Sequence, residues 1–262
     1  MKHMSYASAG VDIDEEERAV SGIVSAVGGT DAIELDGHRL VMCTDGVGSK
    51  VIVADEMRRW DTVGIDCMAM NVNDALCMGA RPLAFVDYLA METTDEDKAA
   101  AIARGLRHGA DIAGIPIVGG ETATLPEVIR GFDLAGTCVA VVEQELPSDI
   151  ASGDVIVGLR SSGLHSNGYT LARKAFTENG YGYHDTLPGS DVTVGDTLLE
   201  PTCIYVREIL SLWNEVDVKG ISHITGGGLR NLKRLTDRVC FSIDEPFPPQ
   251  HVFQVIQELG NV

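Results

Sequence analysis

The sequence has no apolar run long enough to cross a lipid bilayer, which takes about 20 consecutive apolar residues. Its first residues, Met1–Met4, lack the apolar stretch of a secretory signal peptide, so we exclude them from the reasoning about fold. There is also no CxxC pair, and most of the six cysteines lie within apolar runs. This usage indicates reduced, buried thiols in a cytoplasmic protein rather than a disulfide framework or a zinc site. The cysteines are Cys43, Cys67, Cys77, Cys138, Cys203 and Cys240.

Basic residues are scarce, because 20 Lys and Arg stand against 39 Asp and Glu and give a formal net charge of -19. This balance argues against a nucleic-acid-binding surface, which requires a basic patch. Only six of the basic residues are Lys. An acid-rich, lysine-poor chain with an ordinary hydrophobic fraction of 45% is expected of a protein that works in concentrated salt, where screening reduces self-repulsion. The alternative is a merely acidic protein of ordinary salt range.

The stretch from Asp61 to Pro82 organises the first half of the chain. Ile65 to Met78 contains neither proline nor glycine and is followed by Gly79, which predicts a helix that ends there. On a wheel of 3.6 residues per turn, the apolar residues gather on one side and short acids and amides on the other. A solvated face normally carries long, mixed charges, so this pattern favours a face that lines a polar cavity over an ordinary amphipathic helix. The polar residues are Asp66, Asn71, Asn73 and Asp74.

Glycines and acids follow two predicted strands of the first half. The buried strand Leu40–Cys43 leads into Thr44–Lys50, a loop whose glycines leave backbone N–H groups free for phosphate oxygens. The spacing of this loop is not that of a Walker motif. The short strand Ile115–Val118 leads in the same way into Gly119–Ala123. Two further strands are predicted at Leu83–Ala90 and Leu134–Val142, with a helix to about Ala113 between them.

The second half repeats this arrangement of strands and polar loops. The predicted strand Val155–Leu159 leads into Ser161–Tyr169, a loop rich in hydroxyl groups that precedes a helix and therefore suits an anion. Another predicted strand begins at Ile221 and runs into the triple glycine that ends at Gly228. A last strand is predicted at Cys240–Ile243, and helices at about Tyr169–Asn179, Thr202–Trp213 and Val252–Leu259.

Strands and helices alternate along all 262 residues, which predicts an α+β fold of two domains with mixed sheets. The polar turn Pro147–Gly153 marks the boundary between domains 1–149 and 150–262. Polar groups gathered at strand ends are the usual layout of a phosphate and metal site. Carboxylates without Cys or His partners favour a hard cation, and Mg²⁺ is the preferred one because it bridges phosphate oxygens.

Six segments resemble the phosphoribosylformylglycinamidine cyclo-ligases, also called aminoimidazole ribonucleotide synthetases, of purine biosynthesis. The segments occur in the family's order and cover nearly the whole chain. Other ATP-using enzymes of the superfamily, such as selenophosphate synthetase and thiamine-monophosphate kinase, are similar in the acids at the strand ends but not in the AGVDI and GLHSNGY motifs. The matching segments are Tyr6–Asp14, Thr44–Lys50, Gly64–Ala80, Gly119–Thr122, Ser161–Tyr169 and Thr225–Gly228.

The resemblance implies roles for individual residues. His165 and Asn167 become the candidates for proton transfer or substrate orientation, although a lone His is often only a structural hydrogen-bond partner. The same alternative stays open for His223. The magnesium ligands would be Asp45, Asp74 and Glu121. The groups at ATP and its phosphates would be Lys50, which we also count as catalytic, together with Asp45, Gly46, Gly48, Asp66, Asn73, Gly119, Gly120, Gly226 and Gly227.

The resemblance also implies a reaction and an assembly. The enzyme would be a ligase that uses ATP and Mg²⁺ to phosphorylate the formyl oxygen of formylglycinamidine ribonucleotide. A nitrogen of the amidine side then attacks that carbon, closes the imidazole ring and expels phosphate. The first domain would pair its sheet with that of a second subunit as a barrel, so a cytoplasmic homodimer without nucleic-acid or membrane partners is expected.

The family continues past the point where this chain stops, so the second domain is expected to be incomplete and less stable than the first. The activity of the short chain is therefore open. One alternative is another ATP-using enzyme of the superfamily. If it handled sulfur or selenium it would need a reactive Cys in its N-terminal glycine loop, and Tyr6–Asp14 has none. The other alternative is a non-catalytic chain that binds nucleotide without turnover.

Overall fold

The computed structural model describes residues 4, 10, 13–28 and 31–262, so most of the predicted loop Tyr6–Asp14 lies outside the described residues. The first half forms a five-stranded sheet in the order β1-β2-β5-β3-β4. Strands β3 and β4 pair in parallel, and the other neighbours pair antiparallel. The strands are β1 (Ile33–Leu35), β2 (His38–Gly46), β3 (Ala80–Met91), β4 (Ile117–Thr124) and β5 (Phe132–Val142).

Helices cover one face of this sheet in the first half and form most of the regular structure in the second. In chain order they are α1 (Ile13–Val27), α2 (Lys50–Met57), α3 (Asp61–Cys77), α4 (Glu96–Ala113), α5 (Tyr169–Thr177), α6 (Val194–Leu198), α7 (Val206–Leu212) and α8 (His251–Gly260). A 3₁₀ helix spans Gly228–Arg234. The predicted α+β class is confirmed. Among the described residues, none of the helices combines the length and the hydrophobicity needed to span a membrane.

The predicted central helix is confirmed as α3, which begins at Asp61, four residues earlier than expected. It packs against β2, β3 and β5 on one side and against α4 on the other. The two helices approach closely because glycines face each other. A Cβ on Gly64 would lie 2.4 Å from the carbonyl oxygen of Ile102, and a Cβ on Gly105 would lie 1.8 Å from that of Asp61.

The segment Gly119–Ala123 was predicted as a loop, and the structure shows it within strand β4. It pairs in parallel with β3, with Gly120 opposite Asp87 and Glu121 opposite Tyr88. The glycines are tolerated here because β4 is an edge strand and because the carboxylate of Asp87 occupies the space beside Gly120. A Cβ on that glycine would lie 2.5 Å from Asp87 Oδ1.

The strands predicted in the second half are not formed. Among the described residues from 143 onward, the only β pairing is an isolated bridge between Thr186 and Thr193. The apolar run Val155–Leu159 has no strand beside it, and Val155 is 85% exposed. A strand exists only through its pairing, so an apolar run of the right length does not suffice to make one. The prediction of a second mixed sheet is therefore wrong for the described residues.

The hydrophobic core nevertheless continues from the first half into the second. Phe176 of α5 and Leu198 of α6 belong to the same buried cluster as Val53 of α2. Helix α8 packs on α5 and buries Val252 and Ile256. All six cysteines are free thiols, but the predicted burial holds only for Cys43, Cys67 and Cys138, whereas Cys240 is exposed. The boundary near residue 149 stays a prediction.

We expect Gly105→Ala to destabilise the fold by about 3 kcal/mol, because its new methyl group meets backbone atoms of α3 that cannot move aside. The matched control is Gly22→Ala on α1, where a Cβ would meet no atom within 4 Å. That change should raise stability by about 0.5–1 kcal/mol through helix propensity. Urea unfolding of both variants measures the difference, and equal midpoints would contradict the close α3–α4 contact.

Candidate active site

The end of strand β2 is fixed by the buried amide of Asn71 on α3. Asn71 Oδ1 accepts a hydrogen bond from the backbone N–H of Asp45 at 2.9 Å, and Nδ2 donates to the carbonyl oxygens of Asp45 and Cys67. The amide thus acts as a short extension of the sheet. It places the Asp45 carboxylate on the inner face, beside α3.

The negative charges of two carboxylates, Asp45 and Asp74, act on each other at this point. Burial raises the pKa of Asp45, the N–H of Gly46 donates to its Oδ1 and lowers it, and the negative charge of Asp74 raises it again. Asp74 is held by His223, whose Nδ1 lies 2.8 Å from Asp74 Oδ1. The other ring nitrogen of His223 is buried and has no hydrogen-bond partner among the described residues. A cation between the two carboxylates would relieve their repulsion.

Three of the predicted glycine and polar loops meet beside α3. Gly48 has a φ of 70°. A Cβ added to it would lie 3.9 Å from the backbone carbonyl oxygen of Ser166. Asn167 approaches Gly226, whose Cβ would lie 3.3 Å from Asn167 Oδ1. The Asn167 amide also reaches Met70 Sδ on α3 at 3.9 Å. The end of β2 at Gly46 with the following Gly48, the loop of His165 and Asn167, and the loop of Gly226 and Gly227 therefore share one region.

The third predicted metal ligand is not in this region. Glu121 is exposed on β4, opposite Tyr88, whose side chain lies on the outer face of the sheet. Gly119 and Gly120 are exposed on the same edge strand. In the part of the chain that the structure describes, no three Asp, Glu, His or Cys residues are grouped as metal ligands. Asp45 and Asp74 act on each other electrostatically without Glu121.

Lys50 was predicted at the phosphates, and the structure places it in the interior instead. Its side chain is 0% exposed, and Nζ lies 2.8 Å from Asp66 Oδ2. The same ammonium donates to the carbonyl oxygens of His165 at 3.0 Å and Glu200 at 2.7 Å. Burial lowers the pKa of Lys50, and the Asp66 carboxylate opposes this effect. Since three oxygens match the three N–H donors of an ammonium, we assign the charged form.

Asp66 and Asn73, predicted at ATP, are also engaged in the interior. Asp66 Oδ1 accepts from the backbone N–H of Thr202 at 2.8 Å and from its hydroxyl at 2.6 Å. Asn73 donates to the carbonyl oxygen of Cys203 and accepts from the N–H of Tyr205. The segment 200–205 is therefore held against α3 by side-chain hydrogen bonds. Backbone N–H and carbonyl groups of this segment are bonded to side chains of α3 instead of to each other. This explains why α7 begins at Val206 rather than at the predicted Thr202.

His165 is buried, and its backbone φ is 60°, a left-handed conformation. Its Nε2 accepts hydrogen bonds from the N–H groups of Ser162 at 3.1 Å and Cys203 at 3.4 Å. Burial, followed by the charges of His223 and Lys50, lowers the pKa of His165 to about 4. The ring is therefore neutral at pH 7, and the network assigns its proton to Nδ1. With Nε2 already engaged, His165 can orient a substrate by donation more readily than it can accept a proton.

Sequence reasoning missed the residues that connect the two halves. Thr202 and Ser162 were not singled out, although Ser162 also donates through its hydroxyl to Pro201 O at 2.5 Å. Asp87, half-buried on β3 with a pKa raised by burial, was also missed. An acid inside the apolar run Leu83–Ala90 was a usable signal for Asp87. Thr202 offered no comparable signal, because only the tertiary structure brings it to Asp66.

The arrangement suits the binding of a phosphorylated nucleotide with a hard cation. Two carboxylates without thiol ligands favour Mg²⁺, which is commonly held by one or two protein carboxylates together with phosphate oxygens. The N–H groups of Gly46 and Val47 are already bonded, to Asp45 Oδ1 and to the carbonyl oxygen of Leu134, so the loop after β2 can offer phosphate oxygens only the N–H groups beyond Val47. The residues present therefore fit a magnesium–nucleotide complex, in which Asp45 and Asp74 would be the protein ligands.

Comparison with known proteins gives matches over nearly the whole chain. Residues 29–142 match the family described as "AIR synthase related protein, N-terminal domain", and residues 151–257 match the corresponding C-terminal domain. The chain is 49% identical to the phosphoribosylformylglycinamidine cyclo-ligase of Methanosarcina acetivorans, covering 100% of this chain and 84% of the relative. It is 48% identical to that of Methanothermobacter thermautotrophicus, with 98% and 82% covered.

Two solved structures share the fold at low sequence identity. The protein tt0281 from Thermus thermophilus is 21% identical, with a TM-score of 0.54 over 77% of this chain and 65% of that chain. A structure described as AaThiL complexed with AMPPCP and TMP is 13% identical, with a TM-score of 0.53 over 77% and 64%. The chain thus spans slightly less than two thirds of each of these two proteins.

Proposed function

The chain belongs to the phosphoribosylformylglycinamidine cyclo-ligase family of purine biosynthesis, and we propose that it catalyses this family's ATP-dependent ring closure. The reaction converts formylglycinamidine ribonucleotide to aminoimidazole ribonucleotide, with ADP and phosphate as the other products. The observation that carries the proposal within the structure is the meeting of the Asp45–Asp74 pair with three polar loops beside α3. Such a site positions phosphates and a substrate rather than supplying a nucleophile.

The site residues divide into two groups in this proposal. Asp45 and Asp74 hold Mg²⁺, which offsets the charge of the phosphate oxygens, and the backbone of Gly46 and Gly48 faces the nucleotide. Asn167 and His165 orient the substrate, and their loop also forms the N-terminal approach to α5. His165 donates through Nδ1, and a group other than its Nε2 takes up the proton released on ring closure. The free thiols favour a reducing compartment, which agrees with a cytoplasmic location.

The outer face of the sheet supports the proposal of a homodimer. Met42, Val86 and Tyr88 project from it and are 62%, 38% and 42% exposed. An apolar face of this kind on a sheet marks an interaction surface. Glu121 pairs in register with Tyr88 and therefore lies on this face. It can join a metal site only where a second subunit brings its Asp45 and Asp74 close to Glu121.

The acidic surface supports the proposal that the protein works in concentrated salt. The chain carries 39 Asp and Glu against 20 Lys and Arg, so pairing one to one, as Arg39 pairs with Glu145, leaves at least 19 acids without a Lys or Arg partner. Repulsion among exposed charges weakens when the screening length falls to about 3 Å in molar salt. Salt therefore stabilises the folded state in this proposal.

Turnover tests the proposed function directly. The chain should convert formylglycinamidine ribonucleotide with ATP and Mg²⁺, and Asp74→Asn should weaken Mg-ATP binding at least about tenfold, since a charge-assisted contact contributes ~1.5–3 kcal/mol. Calorimetry measures the binding, and the exposed acid Asp237, changed to Asn, is the control. Binding without any turnover would favour the non-catalytic alternative. Equal affinity of Asp74→Asn and the parent would remove Asp74 from the metal site.

A charge on the outer face of the sheet should break the dimer. We expect Tyr88→Glu to sediment as a monomer at concentrations where the parent chain is a dimer, because a carboxylate buried without a partner opposes association. Val128→Glu, on the exposed turn between β4 and β5, is the control and should leave the dimer intact. A parent chain that sediments as a monomer would contradict the proposal.

Thermal melting in increasing KCl tests the salt proposal. The melting temperature should rise from dilute buffer to molar salt, since self-repulsion among surface acids is screened. Sucrose at matched osmolality serves as the control for general exclusion effects. A melting temperature that does not change with KCl would show that the protein is only acidic.

A further inference from the structure

Lys50 and Asp66 have no role in the proposed nucleotide site, yet both are 0% exposed and tightly bonded. The oxygens and donors around them come from two segments of the second half. Lys50 Nζ contacts the carbonyl oxygen of His165, and Asp66 Oδ1 contacts both donors of Thr202. These two segments are the ones that supply the surroundings of the His165 ring.

The ion pair reaches His165 by two routes. The first is direct, because Lys50 Nζ donates to the carbonyl oxygen of His165 at 3.0 Å. The second runs through Thr202, since the next residue, Cys203, donates its N–H to His165 Nε2. Asn73 holds Cys203 from the other side by donating to its carbonyl oxygen at 2.8 Å. One ion pair therefore fixes both the backbone of His165 and a donor to its ring.

The conformation of His165 shows why it needs this support. Its φ of 60° lies in the left-handed region, which residues other than Gly occupy at a cost unless the surroundings hold them there. The Lys50 contact is made to the carbonyl group of this same residue. The ring is held separately by Ser162 and Cys203, which engage Nε2 and leave the proton on Nδ1.

We propose that Lys50 and Asp66 are positioning residues, which hold His165 as a neutral Nδ1–H donor aimed at an acceptor atom of the bound substrate. The inference rests on the proposed function, in which the loop of His165 and Asn167 faces the substrate. It assigns Lys50 an indirect role in place of the phosphate contact. Loss of the ion pair releases Cys203 from Nε2, so the ring samples the other tautomer and turns away from the substrate.

The tautomer of His165 in the full chain gives a test that does not require activity. Long-range ¹H–¹⁵N spectra at neutral pH should show an unprotonated Nε2, assigned by the signals that vanish in His165→Asn. In Lys50→Met we expect mixed tautomers and a kcat that falls by about 100-fold, as for a misplaced catalytic group, while the KM for ATP stays unchanged. Lys98→Met is the matched control, because Lys98 is a nearly buried lysine paired with Asp55 within the first half.

A gentler pair of variants covers the case in which Lys50→Met does not fold. Thr202→Val removes the hydroxyl bond to Asp66 and should reproduce the mixed tautomers, whereas Thr202→Ser keeps both donors and should restore the parent spectrum. Folded variants with the parent tautomer and kcat would overturn the inference and leave the proposed function standing. A parent chain without turnover would overturn the proposed function, and the spectra would still decide whether the ion pair positions His165.

Discussion

The two halves of this protein depend on one buried ion pair, Lys50 with Asp66. An ammonium and a carboxylate taken out of water are costly, and the cost is offset only when every donor and acceptor finds a partner. Here the remaining partners are carbonyl groups of His165 and Glu200 and the two donors of Thr202, all from the second half. Removing one member of such a pair typically costs about 3–5 kcal/mol. The pair is satisfied only when the halves are docked, so it couples docking to the shape of the site.

Helix α3 is the element through which this coupling spreads. Its polar residues serve three neighbours: Asn71 fixes the end of β2, Asp74 holds His223, and Asp66 and Asn73 hold the segment 200–205. On the other side, Gly64 lets α4 approach to backbone contact. A shift of α3 would therefore disturb the sheet end, the acid pair and the His165 loop together, which ties the precision of the site to the packing of a single helix.

Periodicity predicted the helices and the sheet of the first half because their own residues carry the pattern. The same reasoning failed for Val155–Leu159, since a strand depends on a partner that the apolar run itself does not reveal. The polar face of α3 was correctly distinguished from a solvated face by its lack of long charges. What it contacts was only half predicted, because Asp66 and Asn73 meet residues more than a hundred positions away. Lys50 was misplaced for the same reason: its position after the glycine loop suggests phosphate, and only its burial shows otherwise.

Because Lys50 is bonded in the interior, it cannot offset the negative charge of a nucleotide's phosphates. A lysine whose three N–H groups are bonded in the interior gives no cation to a nucleotide, so the glycine loop after β2 offers backbone N–H groups alone. Beside that loop stand Asp45 and Asp74, which would repel phosphate oxygens in a chain already at -19. A divalent cation held by the two carboxylates would relieve both repulsions. Because the lysine serves the fold, nucleotide binding in the proposed function depends on a metal more steeply than it would with a lysine at the phosphates.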